Sequence, residues 1–407
     1  MKKKITIIIA ALIAVVLMSL AFVFLVMGPF DERGLDYTVN ADGMTCTIVG
    51  IGSCKSKIIE IPEAMDGYQV TALAKGAFKD CKKPTEITIP ESVTSIGANA
   101  FYGCSSLKKV NIPAAITRLN SGLFYGCSSL EGIQIPEGVT SLGDAVFSEC
   151  TALHAVVLPE NLQTMGAMTF YKCSALETMT IPEAIKVIGS GMFYECAKLK
   201  TLHFAEDVTV FGTFAFYGCS SLTEFKIPET VTEIPAWLFT YCSNMTSITM
   251  HDNIKSIGER AFSACTALET LELPEKLTTL GYYVFAECTA LKELELPDRL
   301  VTMDTNNFYD CRSLERITLS NALESIPQST FWKCKALKEI TIPVSVKKID
   351  GVVFKESGVE TIYYEGTAEQ WKTLEKSEIW NKDMKECEVI CADGTVIREV
   401  YVEPEES

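Results

Sequence analysis

The chain has 407 residues, 48% of them hydrophobic, and a formal net charge of −16 at pH 7. That apolar share suffices for a long continuous core, while so acidic a surface repels nucleic acid and anionic lipid headgroups. Nucleic-acid binding is thereby excluded, and a solvated acidic surface or a cationic partner suits the balance.

Residues 1–30 open with Met1-Lys2-Lys3-Lys4, followed by an apolar run from Ile5 to about Met27. A bilayer span needs about 20 such residues, whereas the apolar part of a cleaved signal is only about 7–15 long. The segment is therefore expected to be a signal anchor, a transmembrane helix with its three lysines on the cytoplasmic side. Ser19-Leu20-Ala21 also forms a small-x-small cleavage site, and cleavage near Ala21 would make the chain secreted. Either way, the remainder is expected outside the cytoplasm, attached to the cell membrane by a single pass in the first case.

Residues 31–60 are expected to form an N-terminal cap, with Cys46 and Cys54 flanking Gly50-Ile51-Gly52 as a hairpin and Asp66-Gly67 forming a turn a little later. Then a strict period begins. Cys81, Cys104, Cys127, Cys150, Cys173, Cys196, Cys219, Cys242, Cys265, Cys288, Cys311 and Cys334 stand 23 residues apart. A fixed period of about 20–50 residues marks a solenoid or array. Each unit carries Phe three before the cysteine, from Phe78 to Phe331, and Phe354 begins a thirteenth unit in which Ser357 replaces the cysteine.

Apolar residues six and eight after the cysteine, such as Ile133 and Ile135, have the period of two of a short strand with one inward face. Proline nine after it, as at Pro90 and Pro136, ends that strand by removing a donor. A second apolar pair three apart and a glycine, as at Gly97 or Gly258, predict an extended or 3₁₀ segment and a positive-φ turn. The expected fold is a β-rich repeat solenoid with one short strand per coil. Its expected bounds are residues 61–366, with residues 367–407 as a C-terminal cap and acidic tail.

Taken together, L-x-x-I-x-[IL]-P-x-x-[VL]-x-x-[IL]-G followed by F-x-x-C resembles the BspA-like bacterial leucine-rich repeat over roughly residues 58–366. The stretches 362–371 and 391–395 resemble the closing segment of such arrays. The resemblance implies a surface protein engaged in adhesion or binding to host, matrix or neighbouring-cell ligands.

The cysteines are the tempting chemistry. Identical positions in stacked coils point the same way into the core, so buried free thiols are expected, each a small hydrophobe. No histidine stands at zinc-ligand spacing from them. Local bridges between Cys46 and Cys54, or Cys387 and Cys391, stay open. The three histidines, His154, His203 and His251, have no nucleophile at a useful spacing. No G-x-S-x-G, P-loop or EF-hand loop occurs, and Gly50-x-Gly52 lacks the third glycine of a dinucleotide fingerprint. No enzyme activity, cofactor or metal is expected.

Two variable rows remain as candidate ligand-binding surfaces. Seven after the cysteine, the outward strand row includes Thr180, His203 and Lys226; two before it lie Tyr171, Tyr194 and Tyr217. Threonine is a good strand residue and tyrosines can pack flat between coils, so both rows have a structural reading too. Charges four after the cysteine alternate, as in Glu177 and Lys200, and predict cross-coil pairs. The expected function is a membrane-anchored, extracytoplasmic solenoid binding a protein or glycan. The alternative is an envelope structural or sensory ectodomain binding cell-wall polysaccharide.

Overall fold

The computed structural model describes residues 34–384 and 386–401. The expected membrane segment lies outside them, and among the described residues no helix is long and apolar enough to cross a membrane. Each coil is a string of turns joining two short strands. In F-x-x-C-x-x-L the cysteine N–H donates to the Phe carbonyl and the leucine N–H to the cysteine carbonyl, as in Cys104 to Phe101 at 3.2 Å and Leu107 to Cys104 at 3.0 Å. A strand comes next, such as Gly132–Gln134 or Thr178–Thr180, with its middle residue inward. The proline after it then opens a further turn: Val139 N–H donates to the Pro136 carbonyl at 3.0 Å.

The second segment is a correction to the sequence reading. It takes the extended form of the two expected, and it is a second strand in a coil expected to have one: a two-residue strand, as in Ser141–Leu142, that pairs in parallel with its neighbours Arg118–Leu119 and Thr164–Met165. Two residues are too few to leave a period in the sequence. The glycines after it are also corrected. Those at 97, 143, 166, 258 and 281 do not take positive φ; they permit close approach. A Cβ on Gly258 would lie 2.6 Å from the Ala236 nitrogen of the preceding coil.

Left-handed backbone sits elsewhere, five and one residues before each cysteine. Gly76, Asn99, Gly122, Ala145, Met168, Gly191, Phe214, Trp237, Arg260, Tyr283, Asn306 and Ser329 occupy the first position with φ of 53° to 68°. The second position is equally regular, with Asp80, Gly103 and Glu149 at 58°, 70° and 60°. This backbone aims N–H groups along the solenoid axis. Phe193 donates to Ala215 of the next coil at 2.9 Å, and Phe216 to Leu238 at 3.1 Å.

The core is continuous. Phe78 to Phe354 form an unbroken stack with centroids 5.4–5.8 Å apart and ring planes within 12°. Beside it run the cysteines. Each thiol from Cys104 to Cys334 donates to the Phe carbonyl of the coil before, as Cys104 does to Phe78 at 3.0 Å and Cys219 to Phe193 at 3.1 Å. Burial pushes these thiols up, Cys288 to about 12.

Both ends are closed. At the start, Asp36–Val39 and Thr45–Gly50 make an antiparallel hairpin, and Thr45–Gly50 pairs in parallel with Tyr68–Leu73. The hairpin therefore precedes Gly50-Ile51-Gly52 and is not centred on it, because the turn is built by Asp42, whose side chain accepts from Met44 and Thr45 N–H at 2.8 and 2.9 Å. Asp66 and Gly67 form the expected turn, both with positive φ, between Ala64–Met65 and Tyr68–Leu73. At the far end, helix Ala368–Thr373 is capped by Thr367 with a capping box from Gln370. Its buried Trp371 meets Tyr364 and Trp380 edge-on, and Trp380 meets Phe354 the same way, which ends the phenylalanine stack.

Candidate binding surface

Thr180, His203 and Lys226 all lie exposed on the strand face. Thr180 and His203 are direct partners on paired strands, Thr178–Thr180 with Thr201–His203. Lys226 stands on Glu224–Lys226, which pairs onward with Ser247–Thr249 and not back with Thr201–His203. A concavity of about 500 Å³ opens at that interruption, with His203 and Lys226 among its lining and Thr180 outside it.

The physical cause is aromatic crowding. Six after the cysteine other coils carry Ile, Val, Leu or Met, but here Phe225; eight after it Phe204 stands, and fifteen after it Phe211. These three contact one another with centroids 5.6–5.9 Å apart, and Phe225 also lies 5.0 Å from Phe216 and 4.9 Å from Phe239 of the main stack. So much extra ring volume between two coils forces the strand side open, since a packed core does not absorb added methylenes freely. The second ladder is interrupted at the same place. Glycines in that position donate back, as Gly258 does to the Ile234 carbonyl at 2.8 Å, but Pro235 has no N–H to offer Phe211.

The floor of the concavity is apolar, with Leu202, Phe204 and Phe225, while its rim carries Lys200, His203, Glu206 and Lys226. Lys226 lies 3.9 Å from Glu206, and Lys200 pairs with Glu177 at 3.1 Å, one of the expected cross-coil pairs. Lys292 with Glu269 at 2.7 Å is another. Exposed pairs of this kind contribute about 0–1 kcal/mol each.

Tyr171, Tyr194 and Tyr217 form a column of their own. Their rings stack at 4.6 and 4.5 Å with planes 13° and 2° apart, so each covers its neighbour's face. Tyr241 meets the end of the column edge-on at 5.4 Å from Tyr217. What the column offers outward is ring edge and hydroxyl.

A neighbouring row escaped the sequence reading. Phe214, Trp237, Arg260 and Tyr283 fill the left-handed position that other coils give to Gly, Asn, Ala, Ser or Met. Phe214 stacks on Trp237 at 5.5 Å, and the Arg260 guanidinium lies 4.9 Å from Trp237 and 4.1 Å from Tyr283. Phe214, Tyr241 and Tyr282 are 36%, 48% and 48% exposed. The signal was present as an aromatic where the repeat tolerates glycine.

Other candidates stay apart. His154 is exposed beside its own loop, and His251 contacts the Pro228 carbonyl at 2.7 Å. Among the described residues no group of three or more His, Cys, Asp or Glu could hold a metal ion. Cys387 and Cys391 lie on one strand, Cys387–Cys391, four residues and so about 13 Å apart, which rules out a bridge between them. Cys46 is buried, and its thiol donates to the Tyr68 carbonyl at 3.5 Å.

The family model for the BspA type leucine rich repeat region matches residues 71–197, 165–288 and 255–374, about three quarters of the chain in all. The chain belongs to the BspA-type leucine-rich repeat family. Among solved structures, a leucine-rich repeat protein from Bacteroides ovatus is 24% identical, with a TM-score of 0.63 over 88% of this chain and 98% of that one. A leucine rich cell surface protein from Faecalibacterium prausnitzii is 26% identical, with a TM-score of 0.51 over 84% of this chain and 96% of that one. No curated protein matches the sequence. In this BspA-type array the 23-residue register, the Phe stack and the thiol ladder are the frame, and the two aromatic rows and the concavity are the departures from it.

Proposed function

We propose that this BspA-type solenoid is a surface-exposed, extracytoplasmic binding protein, attached to the cell by its N-terminal apolar segment. It engages a macromolecular partner through the strand face around residues 200–229. The observation that carries the reading is the concavity at the coil interruption. An apolar floor set in a rim of both charge signs is the composition of a site that takes an apolar anchor and fixes its orientation by polar contacts. A protein partner presenting one apolar side chain between charged neighbours fits it. Adhesion to a host, matrix or neighbouring-cell surface results if that partner is carried there. The name of the F. prausnitzii protein, a cell surface protein, supports the placement.

A second reading rests on a different observation. The row Phe214, Trp237, Arg260 and Tyr283 with exposed Tyr241 and Tyr282 suits cell-wall or other polysaccharide, because aromatic edges and hydroxyls dock sugar rings. The test is a binding screen of residues 31–407 against immobilised matrix proteins and glycans. The double variant His203→Ala with Lys226→Ala is expected to weaken a protein ligand by tenfold or more, with Trp237→Ala and Tyr283→Ala neutral. The reverse pattern, or a glycan as the ligand, moves the site to the aromatic row.

A further inference from the structure

The cysteine ladder has an open end. Eleven of its thiols reach the Phe carbonyl of the coil before, but Cys81, the first, has only the cap before it, and the cap has no F-x-x-C turn. Its thiol is left with a 3.8 Å contact to the Lys79 carbonyl of its own turn. Cys54 lies in the cap, in the loop that leads to the strand paired with the first coil. Strands Ile58–Glu60 and Glu86–Thr88 pair in parallel, Ile58 opposite Glu86. Just ahead of them the Lys57 carbonyl accepts from Thr85 N–H at 2.6 Å and Glu86 N–H at 3.2 Å. The loops that enter this pair carry Cys54, four residues before Ile58, and Cys81, five before Glu86. The Cys81 thiol is pushed up by burial, then by the charge of Asp80 and then by that of Cys54. Of the sixteen cysteines these two alone are not buried.

We propose that Cys54 and Cys81 form a disulfide that closes the end of the ladder and ties the N-terminal cap to the first coil. The strands that the two loops enter are direct partners, and adjacent paired strands stand about 4.8 Å apart, so the loops start from a separation of the order a disulfide spans, about 4.4–6.8 Å between Cα atoms. The oxidant is a disulfide donor, either an envelope oxidoreductase or glutathione disulfide. One of the two thiolates attacks the donor and expels one donor thiolate, leaving a mixed disulfide. The other protein thiolate then attacks the protein sulfur of that bond and expels the other donor thiolate. Two protein thiols are oxidised, one donor disulfide is reduced, and the two protons pass to the leaving thiolates. Formation in the cell rests on the extracytoplasmic reading; the pairing itself does not.

The full chain, purified reduced, is incubated with glutathione disulfide, denatured, alkylated without reduction and mapped by mass spectrometry. Fourteen of the sixteen cysteines are expected to be alkylated, with one cross-linked peptide joining Cys54 to Cys81. In Cys54→Ser all fifteen remaining thiols are expected to be alkylated. Maleimide added to the native reduced protein is expected to label Cys54 and Cys81 and to spare the ladder. Sixteen alkylated thiols, stable glutathione adducts without a cross-link, or a Cys46–Cys54 bridge overturn the proposal. A bridge made in vitro but absent from protein taken directly from cells leaves the pair standing and contradicts the extracytoplasmic placement instead.

Discussion

The cysteines and the glycines do their work by size. A ladder thiol fits a slot beside a stacked phenylalanine and gives the Phe carbonyl of the coil before a second donor, beside the cysteine N–H of that carbonyl's own coil. Cys219→Ala removes the thiol donor to the Phe193 carbonyl, which keeps the Cys196 N–H at 3.1 Å, and leaves a small cavity; it is expected to destabilise the array by about 1–2 kcal/mol in urea titration. The same thiols set an alkaline limit. Burial raises them, Cys288 to about 12, while an unfolded thiol ionises near pH 8.5. Above that pH the unfolded chain holds fewer protons than the folded one, so stability is full below about pH 8 and falls as pH rises toward the folded values. Melting temperature followed from pH 7 to 11 is expected to be flat and then to drop, with a shallower drop in Cys219→Ala. Gly258 shows the steric side. Its added methyl would meet Ala236 backbone at 2.6 Å, so Gly258→Ala is expected to cost about 1–3 kcal/mol. Gly132 on an outward strand position, with only the Ala155 carbonyl at 3.5 Å, is expected to accept alanine without loss.

At the scale of the strand and turn, much was readable and some was not. The three-residue strand could be inferred because its alternation is bounded by proline, and Val139 bonding to Pro136 shows that the same proline starts the next turn. The second segment was expected as extended or 3₁₀, but not as a paired strand, because its only sequence trace is one inward residue, such as Leu142, beside one less buried residue. The left-handed positions were assigned to the wrong glycines. Close approach and positive φ both select glycine; both Gly258 and Gly122 lie tight against the coil before, and what distinguishes them is backbone φ, +65° at Gly122 and not left-handed at Gly258. Of the candidate residues, His203 and Lys226 line one concavity, whereas Thr180 lies outside it. What could not be inferred was depth, which depends on how far Phe204, Phe211 and Phe225 hold two coils apart. That cause is testable. Phe204→Ile with Phe225→Leu removes two of the three extra rings, leaving Phe211, and is expected to bring Thr201–His203 and Glu224–Lys226 toward pairing. Hydrogen exchange at residues 201–226 is then expected to slow, and binding at the strand face to weaken by tenfold or more. Unchanged exchange would mean that the aromatic ring volume is not what holds the coils apart.

For the molecule as a whole, the stack of coils is quasi-one-dimensional, so its stability is the sum of coil terms and nearest-neighbour interfaces. Those interfaces are unequal. The strand ladders are interrupted together at two places, after Ala155–Val157 and Thr164–Met165, and again after Thr201–His203 and Val210–Phe211. The two coils between them, with Thr178–Thr180 paired to Thr201–His203 and Val187–Ile188 to Val210–Phe211, form a block held to its neighbours by the phenylalanine stack and the turn-side hydrogen bonds. Three of the candidate residues, Thr180, His203 and Tyr194, sit on this block, and Lys226 faces it across the second interruption. A surface that binds at such a boundary can adjust the angle between two arms without breaking either core. The block is expected to exchange its amides at lower denaturant than residues 233–303, where four second strands pair without interruption. Pro235→Gly supplies an N–H opposite the Phe211 carbonyl and is expected to raise protection across residues 205–235 while leaving residues 270–303 unchanged. Exchange that is uniform along the array, or a Pro235→Gly variant that exchanges no more slowly, would mean that the turn-side ladder alone carries the coupling and that the interruptions are mechanically silent.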